Sequence, residues 1–504
     1  MRGMYTSVTE IRRNIFTEIA RMAYEGGDYA KTIEALPYKI LPGEQAQYRE
    51  SIFLERAIVG ERLRLAMGLP VRSAAASAPI SAGIEESTRP EKYYEPPLIN
   101  IIKFACHACP EKRVISTEAC QGCLSHPCTL VCPKDAIHIE NGRSVVDQDK
   151  CIKCGRCVSA CPYNAIVKQE RPCAAACGVK AIGSDELGRA DIDYDKCVSC
   201  GMCLVNCPFG AIADKSQIFQ LIAAIKSDVP VYAAVAPAFV DQFGPKVTPE
   251  KLRAAMKELG FTDVIEVAVG ADLCASEEAT DFVKNVPENL PFMATSCCPA
   301  WSSMAKKQFP EQAKCVSMAL TPMVLTGRLI KMDHPDAKVA FIGPCAAKKL
   351  EAMRKSVRSD IDFVLTFEEM MGLFNAKSID IENIPAEEFL SESSADGRNF
   401  AVSGGVAQAV VHCVQEMYPE VGEIKVASAQ GLEDCRKMML MAKTGKYDGY
   451  LLEGMACPGG CVAGAGSMQP IEKSALAVTK YAKKAEKSFC CETDYLKDLA
   501  RLEE

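Results

Sequence analysis

The sequence predicts a multidomain protein in which an α/β domain follows an α+β region and a small helical module. Three observations support this prediction. The first 72 residues have helical periodicity and no cysteine, residues 99–216 contain repeated cysteine motifs, and from Asp228 onward short apolar runs alternate with helical stretches. A chain of 504 residues is long enough for several domains of this kind.

The composition argues against several classes of protein. The net charge is −7, and the lysines and arginines are scattered, which disfavours nucleic acid or an anionic membrane surface as the main partner. Arg12 and Arg13 are like a twin-arginine signal, but Glu18 and Arg21 interrupt the apolar stretch that should follow. No later run approaches the roughly 18 apolar residues that a membrane helix requires. We therefore expect a cytoplasmic protein without a membrane span.

Residues 1–72 are predicted to form the helical N-terminal module. The segments IRRNIFTEIARM and YRESIFLERAIVGERLRLAMG have apolar residues at helical spacing, so the module is expected to serve packing or docking. Residues 73–98 are rich in Ala, Ser and Pro and have no strong amphipathic pattern, which predicts a linker.

The 27 cysteines indicate metal binding or redox chemistry, because disulfides are rare in a reducing cytosol. CIKCGRCVSACP and CVSCGMCLVNCP follow the pattern CxxCxxCxxxCP, and CQGCLSHPCTLVCP is a third copy with two extra residues. Zinc also binds CxxC pairs, but three full copies with the trailing proline favour 4Fe–4S clusters. The three copies contain Cys120, Cys123, Cys128, Cys132, Cys151, Cys154, Cys157, Cys161, Cys197, Cys200, Cys203 and Cys207.

In such motifs the cysteine before proline binds the neighbouring cluster, which predicts how the cysteines pair. RPCAAACGVKAI supplies the degenerate pair Cys173 and Cys177, and CHAC supplies Cys106 and Cys109. The predicted ligand sets are Cys120, Cys123, Cys128 and Cys161; Cys151, Cys154, Cys157 and Cys132; Cys106, Cys109, Cys173 and Cys207; and Cys197, Cys200, Cys203 and Cys177. The alternative is three clusters, with Cys106 and Cys109 as a zinc pair or as free thiols. His107 and His126 are not expected to bind iron.

Three apolar runs of the second half end in cysteine-bearing loops. LPFMAT leads to Cys297 and Cys298, KVAFIG leads to Cys345, and DGYLLEGM leads to Cys457 and Cys461. Because ligand sites in α/β sheets form beyond the carboxyl ends of strands, these loops are expected to build a single site. A cubane takes four thiolates, and two adjacent cysteines cannot easily bind the same cluster. One of Cys297 and Cys298 is therefore expected to be free for other work.

The loops TSCCPAW, PCAAKKLE and EGMACPGGCVAGAG resemble the three signature loops of FeFe hydrogenases, TSCCPxW, PCxxKxxE and ExMxCxxGCxxG. The resemblance covers residues from about 100 to 480. It implies an α/β H-cluster domain over residues 217–478, preceded by ferredoxin-like α+β iron-sulfur domains over residues 99–216 and followed by a helical C-terminal tail over residues 479–504.

The same resemblance implies cofactors and partners. The H-cluster is a 4Fe–4S cubane joined to a two-iron azadithiolate unit with CO and CN ligands, and three to four accessory 4Fe–4S clusters are expected beside it. H2 and protons are the implied substrates. A ferredoxin-like electron carrier and maturation proteins for the two-iron unit are the implied partners.

Residue roles follow from the resemblance, position by position. Cys298, Cys345, Cys457 and Cys461 resemble the cubane ligands, with Cys461 as the bridge to the two-iron unit. Cys297 resembles the cysteine that passes protons, a role suited to a thiol with an ordinary pKa of about 8.5. Lys348 resembles the lysine that donates a hydrogen bond to cyanide, and Met455 the thioether beside the two-iron unit.

The outer proton relay is also implied by resemblance. GADLCASEEATDF is similar to the helix whose carboxylates carry protons outward, with Glu278 and Asp281 at those positions and Ser317 as the hydroxyl between them. The alternative for both carboxylates is a solvated helix face. Asp281 replaces a more common glutamate, and the chain also departs from common family residues at Ala238, Gly343 and Met323, which suggests the divergent group B.

A second hypothesis is a non-catalytic iron-sulfur protein, either a Narf-like assembly factor or a hydrogen sensor. The intact signature, with Cys297 and all four ligands, favours the enzyme. The remaining cysteines are interpreted as core or surface thiols; they are Cys274, Cys315, Cys413, Cys435, Cys490 and Cys491.

Overall fold

The computed structural model describes residues 3–73, 75–89, 91–386 and 393–503. Parts of the predicted module, linker and tail lie outside the described residues, namely Met1, Arg2, Ala74, Pro90 and Glu504. The N-terminal part contains helices α1 (Ser7–Glu25), α2 (Tyr29–Ile40) and α3 (Ile52–Ala66), and a short helix α4 (Ile84–Ser87) within the predicted linker. The N-cap residues of the first three helices are Thr6, Asp28 and Ser51. The side chain of each accepts a hydrogen bond from the backbone N–H three residues on.

The region from residue 99 to 214 is built from short strands and single-turn helices around the cysteine loops. Its elements are β1 (Ile99–Ile101), β2 (Arg113–Ser116), α5 (Pro127–Leu130), β3 (Ile137–Glu140), β4 (Arg143–Val146), α6 (Arg156–Ala160), β5 (Ile166–Gln169), α7 (Pro172–Ala175), β6 (Ile182–Ser184), β7 (Ala190–Ile192), α8 (Met202–Asn206) and β8 (Ile212–Asp214). The strands pair antiparallel as β1–β8, β2–β5, β3–β4 and β6–β7. Along the sequence, β2 and β5 therefore both lie between β1 and β8, the two strands of another pair.

The α/β domain has two parallel sheets, with strand orders β10-β9-β12-β13 and β11-β15-β14. Its elements are α9 (Ile218–Ile225), β9 (Val231–Val235), α10 (Pro249–Leu259), β10 (Asp263–Glu266), α11 (Ala268–Asn285), β11 (Met293–Ala294), α12 (Pro299–Gln308), α13 (Pro322–Asp333), β12 (Lys338–Gly343), α14 (Ala346–Ala352), β13 (Phe363–Thr366), α15 (Phe367–Lys377), α16 (Ala395–Asn399), α17 (Gly405–Met417), β14 (Lys425–Gln430), α18 (Leu432–Lys443), β15 (Tyr450–Met455), α19 (Ile471–Ala482) and α20 (Leu499–Glu503). The predicted α/β architecture is confirmed, and the apolar runs LPFMAT, KVAFIG and DGYLLEGM coincide with β11, β12 and β15.

Strand register aligns the ends of neighbouring strands. Ile342 of β12 lies opposite Val235 of β9, and Leu452 of β15 lies opposite Ala294 of β11. Each of these strands therefore stops at the same edge of its sheet as its neighbour. The loops that follow β11, β12 and β15 are the three cysteine-bearing loops.

The N-terminal helices share an apolar core with the α/β domain. Ile15, Phe16 and Ile19 of α1 are buried in the same cluster as residues of α9, β9 and α15. At the edge of this contact Arg12 forms an ion pair of 2.7 Å with Glu368. Burial of these apolar side chains holds the helices on the sheet domain.

The joint between the cysteine-rich region and the α/β domain is a buried ion-pair cluster. Lys349 Nζ lies 2.7 Å from Asp214 Oδ2 at the end of β8 and 2.9 Å from Glu369 Oε1 in α15. It also donates to the Lys215 carbonyl at 2.8 Å, and the Tyr94 ring lies 5.5 Å away. The Lys349 side chain is 0% exposed, so a single ammonium connects both parts of the chain out of contact with water.

The C-terminal end differs from the predicted boundary. Residue 478 lies inside α19, which continues to Ala482, and the following stretch contains two 3-10 turns (Cys490–Glu492 and Asp494–Asp498) before α20. This stretch packs against α11 and α17, where Cys490 is buried. No helix in the described part of the chain has the length and apolar character needed to cross a membrane.

Candidate functional site

The carboxyl ends of both parallel sheets enclose one buried cavity of about 80 Å³. Residues that follow β9, β10, β11, β12 and β15 line it. The sequence predicts that the three cysteine-bearing loops after β11, β12 and β15 meet at one site; the loops after β9 and β10 also reach it. Its walls are mostly Ala, Pro, Met and Phe side chains. The structure brings all five loop cysteines to this cavity: Cys297, Cys298, Cys345, Cys457 and Cys461.

The cavity disfavours charged thiolates unless a cation is present. Burial raises the pKa of Cys298 and Cys461, and it raises the pKa of Cys345 to about 11. Cys298 is the N-cap residue of α12 and Cys345 that of α14, where the helix dipole favours a negative sulfur. Thiols that line one cavity and need positive charge to ionise fit a metal cluster.

Glycine permits the close packing of the third loop. A side chain at Gly464 would collide with the carbonyl of Pro344, the residue before Cys345. One at Gly454 would collide with the buried Trp301 ring, whose Nε1 donates to the Thr295 carbonyl at 3.1 Å. The final tryptophan of TSCCPAW therefore supports the strand that ends at Met455, and Met455 itself lines the cavity.

Lys348 contributes the one described cationic side chain that lines the cavity. Its Nζ lies 2.6 Å from Glu351 Oε2 and donates to Thr321 Oγ1 at 3.1 Å, while Thr321 donates to Glu351 Oε1 at 2.7 Å. Burial alone would lower the pKa of Lys348, but the Glu351 carboxylate outweighs this effect and raises it. Sequence reasoning did not single out Glu351, although it is the last residue of PCAAKKLE and lies three residues after Lys348 on α14.

The positions that depart from common family residues are also at this cavity. Ala238 and Met323 line it. A Cβ at Gly343 would lie 2.6 Å from Phe341 Cε1, so the Phe341 ring fills the space that a larger residue 343 would need. Phe341 also lines the cavity and was not predicted, because nothing in an apolar strand distinguishes a wall residue from a core residue.

Glu278 on α11 is buried beside Cys297 and is 0% exposed. Its Oε1 accepts a hydrogen bond from Ser296 N at 2.8 Å, and the Ser296 hydroxyl lies 3.1 Å from the same oxygen. Burial raises the pKa of Glu278 to about 7, while the Ser296 and Ser317 hydrogen bonds oppose the shift. A solvated helix face does not describe this carboxyl.

Cys297, Glu278, Ser317 and Asp281 lie close enough to influence one another. Burial raises the pKa of Cys297, and the negative charge of Glu278 raises it further. Asp281 lies one turn after Glu278, is partly exposed, and has its pKa raised by burial. The four groups thus extend from the cavity toward the surface. Ser296, which hydrogen-bonds Glu278, was not predicted, because the motif TSCCPAW was interpreted through its cysteines alone.

The cysteine loops of residues 99–214 repeat one backbone conformation four times. The second residue between each CxxC pair has positive φ: Ala108, Gly122, Lys153 and Ser199. The third residue after each trailing cysteine also has positive φ: Asp135, Asn164, Lys180 and Gly210. In each copy the N–H four residues after the trailing cysteine donates to its sulfur at 3.2–3.4 Å, for Cys132, Cys161, Cys177 and Cys207. CHAC and the degenerate copy therefore have the loop geometry of the three full motifs.

Several neighbouring thiols belong to the same predicted set. Cys106, Cys109, Cys173 and Cys207 line one small cavity, where Arg171 donates to the Cys109 carbonyl at 2.9 Å. Burial and then the nearby Cys123 and Cys161 raise the pKa of Cys128. Burial and then Cys151 and Cys154 raise that of Cys157. Burial and then Cys177, Cys197 and Cys345 raise the pKa of Cys200 to about 12. Cys200 also lines the larger cysteine cavity, so its set lies directly beside that site.

Zinc and a cubane require different spacings of their cysteine ligands. In the described part of the chain, no three His, Cys, Asp or Glu side chains are gathered closely enough to hold a single metal ion. Four sulfurs around one zinc ion, each at about 2.3 Å, would lie within about 4 Å of one another. A cubane binds each thiolate through a different iron and spreads them further apart.

The chain is similar to several known proteins. A family model described as iron only hydrogenase large subunit, C-terminal domain, matches residues 229–465, and a 4Fe–4S dicluster domain model matches residues 150–211. The chain is 31% identical to iron hydrogenase 1 of Clostridium pasteurianum over 387 residues, covering 66% of this chain and 67% of that protein. It is 30% identical to the periplasmic Fe hydrogenase large subunit of Nitratidesulfovibrio vulgaris, covering 47% and 67%. It is 24% identical to the nuclear prelamin A recognition factor of Xenopus laevis, covering 48% and 65%.

The raised pKa of Glu278 predicts a pH-dependent stability. The folded-state pKa of about 7 exceeds the ordinary 4.5, so ionisation of Glu278 opposes folding. This cost is absent below about pH 4.5 and complete above about pH 7. Glu278→Gln retains an acceptor for Ser296 N and should be more stable than wild type at pH 8, by about 1–3 kcal/mol.

The advantage of Glu278→Gln should shrink toward pH 5, as measured by thermal unfolding of both proteins across this range. Glu288→Gln, which changes an exposed glutamate just after α11, is the control and should show no such trend. A pH-independent difference for Glu278→Gln would contradict the raised pKa.

Proposed function

This chain belongs to the iron-only hydrogenase large-subunit family, and on that premise we propose that it catalyses the reversible oxidation of H2 and reduction of protons at an H-cluster. The observation that carries the proposal is the convergence of five cysteines from three loops, with Lys348 and Met455, on one buried cavity. Electrons would pass through accessory 4Fe–4S clusters to or from a ferredoxin-like carrier.

The donor set of the cavity fits the H-cluster. Cys298, Cys345, Cys457 and Cys461 would hold the cubane, with Cys461 as the bridge to the two-iron azadithiolate unit. When bound, the H-cluster would supply the metal at which protons and electrons combine, together with its CO and CN ligands. Maturation proteins that insert the two-iron unit are part of this proposal.

Lys348 and Met455 would position the two-iron unit. Glu351 and Thr321 hold the Lys348 ammonium in a fixed place, and its remaining N–H can donate to a metal-bound anion such as cyanide. Met455 would pack its thioether against the unit from the end of β15. The apolar walls would keep bulk water away from the reacting atoms.

Proton transfer would use the chain's own acids. Cys297 Sγ would hold the innermost proton and exchange it with the Glu278 carboxyl, and Ser317 Oγ and Asp281 would continue the route outward. A carboxyl with a pKa of about 7 accepts and releases protons at similar cost near neutral pH, which is the property that a relay needs. Ser296 would hold Glu278 in line with Cys297.

Four accessory clusters are proposed. The support is the fourfold repeat of loop conformation, which includes CHAC and the copy with Cys173 and Cys177. The set of Cys197, Cys200, Cys203 and Cys177 would be the last step before the H-cluster, because Cys200 lines the same cavity. The sets formed by the other motifs would carry electrons between this cluster and the surface.

The alternative is a Narf-like, non-catalytic iron-sulfur protein. The observation on its side is the similarity to the prelamin A recognition factor. Anaerobically matured protein should evolve H2 from reduced ferredoxin or viologen and oxidise H2 in the reverse assay. Its infrared spectrum should contain bands of metal-bound CO and CN. Protein with these bands but no activity in either direction would contradict the enzyme, and matured protein without the bands would support the alternative.

Substitutions of the adjacent residues Cys297 and Cys298 should have different effects. Cys298→Ser should lose or damage the cubane, because a hydroxyl is a poor substitute for a thiolate. Cys297→Ala should retain the infrared bands yet lower turnover by about 100- to 10,000-fold, as expected for loss of a positioned acid-base group. Cys297→Asp should recover part of this loss with a shifted pH optimum.

The control for these variants is Cys315→Ala, which removes a buried thiol from the core beside α12 and should retain turnover. The measurements are iron content, infrared spectrum and H2 evolution of each protein. Loss of the cubane in Cys297→Ala with an intact cubane in Cys298→Ala would reverse the assignment.

Iron analysis should count the clusters. Protein expressed without the two-iron maturation system should contain about twenty iron atoms, four in each of five cubanes. The double variant Cys106→Ser, Cys109→Ser should lose about four of them, and Cys315→Ser should lose none. Sixteen iron atoms in wild type, unchanged in the double variant, would instead support three accessory clusters.

A further inference from the structure

A second cavity, of about 250 Å³, lies apart from the cysteine site. Three parts of the chain enclose it: the start of α1 with the residues before it, the end of α8, and the loop of residues 465–469. Glu368 of α15 closes one side. Of the predicted cluster ligands, Cys207 lines one wall of this cavity, while the cysteine cavity and the proposed proton route do not extend to it.

Arg13 is the distinctive side chain of this cavity. Its Nε is buried and has no hydrogen-bond partner, and its Nη2 has only the weak acceptor Met468 Sδ at 3.5 Å. Its guanidinium lies 5.1 Å from the centre of the Tyr5 ring. Within the described residues no carboxylate forms an ion pair with Arg13, whereas its neighbour Arg12 pairs with Glu368 at 2.7 Å.

Two further features favour a negative ligand. Ser467 lines the cavity, is 8% exposed, and its buried hydroxyl has no hydrogen-bond partner. The first turn of α1, a helix of 19 residues, also lines the cavity, and the positive end of its dipole favours an anion. Donors of three kinds therefore surround the same space.

The charges leave a positive balance. Among the charged side chains that line the cavity, Arg12 and Arg13 bring two positive charges and Glu368 brings at most one negative charge; the Cys207 sulfur, proposed above as a cluster ligand, also lines it. The Arg13 guanidinium is partly buried, and its described contacts with a thioether sulfur and an aromatic ring are weaker than the hydrogen bonds to water that it loses. An oxygen-rich anion would replace them with charge-assisted hydrogen bonds, for which the guanidinium is well suited.

We propose that this cavity binds a small oxyanion, a phosphate or carboxylate group, through Arg13, Ser467 and the first turn of α1. The volume leaves room for a small organic remainder on that group. Because the N-terminal helices, the cysteine-rich region and the α/β domain all line the site, the bound anion also fastens these three parts together.

Calorimetric titration of the anaerobic full-length protein, loaded with its 4Fe–4S clusters, with inorganic phosphate at constant ionic strength tests the site. One saturable site per chain is expected. Arg13→Gln should weaken it by about 10-fold or more, because hydrogen bonds to charged groups are among the stronger ones. Arg21→Gln, on the same helix but outside the cavity, is the control and should bind as wild type does.

Ser467→Ala is a second test that changes one buried atom and leaves the fold intact; it should weaken phosphate binding several-fold. Phosphate should also raise the unfolding temperature of wild type and leave that of Arg13→Gln unchanged. A parallel titration with succinate decides between phosphate and carboxylate as the preferred group. Absence of saturable binding of both anions, or equal affinities in wild type, Arg13→Gln and Ser467→Ala, would overturn the proposal. None of these measurements needs hydrogen turnover, so they are independent of the proposed function.

Discussion

The buried ammonium of Lys349 is the interaction on which the arrangement of this protein depends. It pairs with Asp214 at the end of the cysteine-rich region and with Glu369 at the start of α15. Without the lysine, both buried carboxylates would lose the ammonium that they share, and breaking such a pair typically costs about 3–5 kcal/mol. Lys348, the preceding residue of α14, lies about 100° around the helix from Lys349 and lines the cysteine cavity. One short helix thus fixes both the joint between domains and the cation of the site.

The cysteine cavity and its surroundings differ in polarity. The cysteine cavity has apolar walls, so its thiols are costly to ionise until a cation is bound. The charge lies on one side, where Lys348 lines the cavity with Glu351 paired to it, and in the Lys349 cluster on the same helix. Glu278 is buried, which raises its pKa. It also accepts hydrogen bonds from Ser296, which oppose this rise, and the pKa of about 7 reflects both effects.

Much of the fold was predictable, because buried parallel strands are continuous apolar runs and cysteine spacing directly encodes cluster loops. The strand β14 was not predicted, since KVASAQ lies at the edge of its sheet and carries little apolar pattern. The partners of the site were harder to predict. Ser296 holds Glu278 across 18 residues and Lys349 reaches Asp214 across 135, and such contacts leave no local periodicity in a single sequence.

The nesting of β2–β5 inside β1–β8 determines an order of assembly. On the ribosome the inner pair becomes complete once residue 169 has emerged, whereas β1 must wait for β8, at residues 212–214, before it has a partner. Cys106 and Cys109 follow β1 and therefore remain apart from Cys207 during this interval. A ligand set that needs Cys106, Cys109 and Cys207 together can therefore be completed only after nearly the whole cysteine-rich region has been synthesised.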